Sequence, residues 1–165
     1  TAIIQTEKIR FDEWFNYKED APFVYTYLQY TDSVFFDSHP VYNYRLRTSG
    51  SLNVKIHQNM YEINCEVYRL KRDVMRGKCC PANVYNNVYF GSMRQSIGYF
   101  YLSDHPDCRA NRFSTIEKVC ENDLLSEISL RDLSGFKQKL LLVLCRIRAK
   151  RIISMMFWLQ SRIRG

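Results

Sequence analysis

The residues of this chain best equipped to do chemistry are its soft ligands. Cys65, Cys80, His105 and Cys108 follow one another with gaps of fourteen, twenty-four and two residues. Thiolate and imidazole are ligands of tetrahedral zinc, and a closed set of four such groups is structural rather than catalytic. Cys79 competes with Cys80 for the second position. Cys120 and Cys145 fall on apolar helical faces and read as core residues. His39 and His57 read as exposed, while Asp104 and Asp107 flank the last pair and could orient the imidazole. No Gly-rich phosphate loop, nucleophile elbow or His-Glu-x-x-His pair is present. The carboxylates are scattered, so the expectation is a protein that is not an enzyme.

The elements that must position these ligands read as strands. Phe23–Tyr30 alternates aromatic and polar residues, Val34–Phe36 extends that region, and Val41–Arg47 follows a His39-Pro40 turn. Val54–Ile56 and Tyr61–Tyr68 come next, the latter placing Tyr61, Ile63, Cys65 and Val67 on one face. Asn83–Phe90 and Ile97–Leu102 flank a Gly91-Ser92 turn. Twelve tyrosines and ten phenylalanines strengthen a β reading, since aromatic residues favour strands. Phe11, Trp14 and Phe15 predict a short helix over Phe11–Tyr17. Beyond Arg112, the pair Ser114 and Glu117 resembles a capping box opening a helix Thr115–Cys120. Asn122–Leu130 and Phe136–Leu144 also read as helical. The expected fold is α+β: a small zinc-stapled antiparallel sheet over residues 1–112, with a short N-terminal helix, and a helical basic extension over 113–165.

The formal net charge of +7 is carried by the last part of that extension. From Leu133 onward there are eight Lys/Arg and no Asp/Glu, so residues 1–132 hold 16 basic and 17 acidic side chains, a balance of −1. The six cysteines allow a disulfide framework, but their uneven spacing beside a histidine favours ligands. The apolar runs Leu140–Cys145 and Ile152–Leu159 are far shorter than the roughly 20 residues of a membrane span. In the extension, apolar residues such as Met155, Met156, Phe157 and Trp158 come in blocks rather than a clean stripe. A protein partner for this helical tail is therefore expected before membrane contact.

The order of elements resembles the WRKY/GCM-type zinc-finger superfamily, which includes the WRKY, glial-cells-missing and FLYWCH domains. The likeness is greatest to the N-terminal finger of Mutator-like transposases and SWIM-type zinc-finger proteins. It rests on Phe11–Tyr17, Tyr44-Arg-Leu-Arg-Thr48, Tyr61–Cys65, Lys78-Cys-Cys-Pro-Ala82 and His105-Pro-Asp-Cys108. The closing His-x-x-Cys departs from the usual His-x-His or His-x-Cys. The resemblance implies zinc on Cys65, Cys80, His105 and Cys108, nuclear localisation, and binding of double-stranded DNA by a strand in the major groove. By position, Tyr44, Arg45 and Arg47 would read bases. Arg69, Lys71, Arg72, Arg76 and Lys78 would hold phosphates. The competing reading is a non-catalytic protein-interaction module that uses an aromatic β surface without DNA.

Overall fold

Tyr61, Asn64, Cys65 and Tyr68 recur at i, i+3, i+4 and i+7 and are all buried, the period of a helix rather than a strand. In the computed structural model, which describes residues 2–35, 39 and 56–164, they lie on an 18-residue helix. The elements are α1 (Ala2–Thr6), α2 (Asp20–Gln29), α3 (Met60–Gly77), α4 (Ala82–Tyr99), α5 (Pro106–Cys120), α6 (Leu124–Glu127), a 3-10 turn Leu130–Asp132, α7 (Phe136–Arg146) and α8 (Lys150–Arg164). No strand occurs among the described residues. The expected zinc-stapled β-sheet, and with it the α+β class, is replaced among the described residues by an all-helical fold.

The corrections are specific. The strand expected at Phe23–Tyr30 is α2, and Tyr61–Tyr68 lies in α3. Asn83–Phe90 and Ile97–Leu102 meet in α4, which runs straight through Gly91 and Ser92. Phe11–Tyr17 forms turns instead of a helix. Val41–Arg47 and most of Val54–Ile56 lie outside the described residues. Ser114 caps nothing: it sits inside α5 with its hydroxyl donating back to the Asn111 carbonyl. The residue that caps α5 is His105. Phe136–Leu144 is helical as expected. The chain divides into two compact units, Thr1–His57 and Gln58–Gly165.

Within the first unit, aromatic rings carry the contacts. Phe11 stacks on Phe23 at 4.5 Å, Trp14 meets Phe15 edge-on at 4.8 Å, and Tyr17 stacks on His57 at 4.5 Å. His57, expected on the surface, is buried.

The second unit is a helical bundle. The connection Lys78–Pro81 is short enough to fold α4 back against α3. Contacts run early-to-late, as an antiparallel pair requires: Asn64 Nδ2 donates to Ser96 Oγ at 2.7 Å, Cys65 Sγ meets Met93 Sδ at 4.0 Å, and the Tyr68 and Tyr89 rings stack at 4.0 Å. Phe90, Met93, Ile97, Ile116, Val119, Leu142 and Ile153 join these in one core. Arg112 of α5 anchors the end of α4, donating to the Phe100 and Ser103 carbonyls at 2.9 Å. Arg146, at the end of α7, donates to the carbonyls of Leu125 and Ile128.

Helix ends are closed by left-handed residues. Cys79 (φ 56°) follows α3, and Cys80 N–H reaches back to the Met75 carbonyl at 2.9 Å. Arg148 (φ 53°) follows α7, and Ala149 N–H reaches the Leu144 carbonyl at 2.9 Å. Both are Schellman closures, which satisfy otherwise orphaned carbonyls. The second one turns the chain sharply from α7 into α8.

One core group is unsatisfied. The Tyr89 hydroxyl is fully buried and has no hydrogen-bond partner among the described residues, and desolvation drives its ionisation far upward. A buried, unbonded hydroxyl costs about 1–3 kcal/mol. Tyr89→Phe is therefore expected to raise the urea midpoint, with a gain of about 1 kcal/mol. A lower midpoint would show that the hydroxyl is bonded.

Candidate docking surface on helices 7 and 8

The proposed zinc ligands do not converge. Cys65 is in the core, its sulfur 3.6 Å from Asn122 Nδ2 and beside Met93, and burial pushes its thiol upward. Cys108 is buried in the first turn of α5. His105 is exposed, its Nδ1 accepting from the Asp107 N–H at 3.3 Å. Cys80 is half-buried just beyond α3. Among the described residues, no three His, Cys, Asp or Glu side chains gather at one point, so the four do not fit a zinc centre. Cys120 and Cys145 instead face each other between α5 and α7: a hydrogen bond between the thiols lowers Cys120 and raises Cys145.

This arrangement fixes thiol accessibility. Cys79 is exposed and Cys80 half-buried, whereas Cys65, Cys108, Cys120 and Cys145 are buried. An aromatic disulfide reagent should react quickly at Cys79, more slowly at Cys80, and with the other four only after denaturation. A zinc cluster would give a different order, protecting Cys80.

The cations expected to hold phosphates lie on or just after α3, not in a loop. Arg69 pairs with Glu66 at 3.0 Å, while Arg72 and Arg76 converge on Glu127 at 3.3 and 3.2 Å. Lys71 is half-buried and Lys78 exposed at the helix end. Tyr44, Arg45 and Arg47 lie outside the described residues. The α3 cations are thus largely engaged within the bundle.

Unpaired positive charge gathers on α7, on α8 and in the turn between them. Lys137, Lys139, Arg148 and Arg151 make no ion pair among the described residues. Lys150 is the exception, bound to Glu117 at 2.9 Å and Glu121 at 3.7 Å. Between the free cations run apolar stripes. On α7 and its cap, Phe136, Leu140, Val143 and Ile147 recur at i, i+4, i+7 and i+11 and are all exposed. On α8, Ile152, Met155, Leu159 and Ile163 recur at i, i+3, i+7 and i+11, also all exposed. Each spacing holds one face of a helix. Phe136 is 79% and Ile163 85% exposed, so the stripes are open to solvent.

The opposite faces explain why the chain folds this way. Leu141, Leu142, Leu144 and Cys145 of α7, with Ile153 and Phe157 of α8, are buried in the core. Each helix therefore has two apolar faces, one buried and one open. Beside the α8 stripe, Trp158 is 46% exposed, with the Arg162 guanidinium 5.6 Å from its ring centre. Lys137 and Lys139 neighbour the α7 stripe.

Comparison with protein-family models, curated proteins and solved structures finds no match to this chain. Its function must be read from this geometry.

Proposed function

We propose that this chain is a non-catalytic docking module that binds an anionic lipid surface through α7 and α8. The observation that carries this reading is the pairing of open apolar stripes with unpaired cations, in a stretch without a carboxylate from Leu133 onward. An amphipathic helix with bulky apolar residues on one face and Lys/Arg beside them lies in the membrane interface, its apolar face a few ångströms deep. Anionic headgroups then add about 1 kcal/mol per nearby cation. Trp158, with a cation at its ring, suits the headgroup level, where indoles collect.

The same face is a poor match for nucleic acid, because phosphate contact leaves the apolar stripes in water. Self-association through it would set Lys137, Lys139, Arg148 and Arg151 of one copy near the same four cations of another. Among the described residues no helix is long and apolar enough to cross a membrane, and docking needs none.

The test is co-sedimentation with vesicles. Binding to vesicles of mixed phosphatidylglycerol and phosphatidylcholine is expected, weakening as salt rises, with little binding to phosphatidylcholine alone. Equal binding to both would remove the electrostatic half of the reading. Binding to duplex DNA with no vesicle binding would return this surface to nucleic acid.

A further inference from the structure

A groove of about 340 Å³ opens between α4 and α8, lined by Arg94, Gln95, Tyr99, Tyr101, Phe157 and Gln160 among others. We propose that it binds a small aromatic carboxylate. This stands apart from the docking reading, since it uses neither exposed stripe.

The volume lies within the usual range for small-molecule sites, which combine apolar walls with a few polar groups. The floor is aromatic: the Tyr101 and Phe157 rings lie 5.7 Å apart, and both are buried. Tyr101 is fixed by a 2.7 Å hydrogen bond to Ser154 and by the Arg112 guanidinium 5.0 Å from its ring. A flat ring suits such a floor better than a flexible chain, because aromatic pairs add attraction beyond the area they bury. At the rim stands Arg94, exposed and with no ion pair or hydrogen bond among the described residues. A guanidinium binds carboxylate through two parallel hydrogen bonds. Among the described residues it is the one charged group of a lining that also includes Gln95 and Gln160, so a singly charged anion is matched and a doubly charged phosphate is not.

Two glycines widen the groove. Gly91 and Gly98 are seven residues apart on α4 and therefore share a face, and both line the opening. Glycine is less favourable than alanine inside a helix. Packing does not ask for it here: a Cβ on Gly91 would meet nothing within 4 Å, and one on Gly98 would meet only the Phe157 ring at 3.5 Å, an ordinary contact. What the missing side chains leave open is the groove itself.

The experiment is calorimetric titration of the full chain with 2-naphthoate, 2-naphthalenemethanol and octanoate. Saturable one-site binding of 2-naphthoate is expected, at least tenfold tighter than either of the other two. Arg94→Gln should weaken it about tenfold. Gly98→Leu should abolish it, and Gly91→Leu, which fills open space, repeats that test if the first variant fails to fold. Gly91→Ala should raise the melting temperature. No saturable binding of 2-naphthoate overturns the site. Equal binding of the alcohol, or no effect of Arg94→Gln, overturns the carboxylate, and equal binding of octanoate overturns the aromatic ring.

Discussion

Met155→Glu combined with Ile163→Glu is expected to weaken binding to anionic vesicles by at least a hundredfold. Both side chains are open to solvent on the α8 stripe, 56% and 85% exposed. Burying an aliphatic side chain of this size is worth about 1.5–3 kcal/mol when complete, and half of that per residue is a fair share for a helix at the interface. Each new carboxylate also opposes the anionic surface by about 1 kcal/mol. Together the losses exceed the roughly 2.8 kcal/mol that a hundredfold change requires. Neither residue contributes to the core, so the melting temperature should move by only a few degrees. Unchanged vesicle binding by a folded double variant would show that α8 does not touch the membrane.

Phe90→Ala should cost about 3–5 kcal/mol of stability, the usual range for emptying a buried phenylalanine site. Phe90 is 1% exposed in the core that α4 shares with α3 and its neighbours. His105→Ala should cost about 1 kcal/mol or less, because His105 is an exposed cap with one 3.3 Å hydrogen bond to the Asp107 N–H. The contrast between the two variants separates a helical core from a metal-held fold. In a zinc-stapled domain the order would be reversed, since metal binding is then part of the folding energy. Denaturant titration of both variants decides it.

The helical period was present in the sequence but masked by its composition. The buried face of α4 includes Tyr85, Asn86, Tyr89, Phe90, Met93, Ser96 and Ile97, a helical set that an apolar-only reading breaks at Asn86 and Ser96. Those polar positions are satisfied by partners distant in sequence: Asn86 donates to Asp132 at 2.8 Å, and Ser96 accepts from Asn64 at 2.7 Å. Tyrosine abundance added a strand bias that tertiary packing overrides. Cys65 and Cys108 read as ligands, yet a buried cysteine on a helix behaves as a small apolar residue.

The docking face was legible only in part. Its charge could be counted directly, whereas its stripes looked like blocks. On α8 the exposed set 152, 155, 159 and 163 interleaves with the buried Ile153 and Phe157, so the two faces merge along the sequence. Only the helix boundaries pull them apart. The groove between α4 and α8 gave no sequence signal beyond Gly91, read as part of a turn, and Gly98, in a segment read as a strand.

Docking of α7 and α8 on an anionic bilayer is tested most directly by the depth of Trp158. In the Trp14→Phe variant, Trp158 is the remaining tryptophan of the two. Added anionic vesicles should shift its emission to shorter wavelength, and lipids brominated near the headgroup end of the acyl chain should quench it, both effects fading at high salt. Emission that stays unshifted and unquenched at saturating anionic lipid would contradict the account.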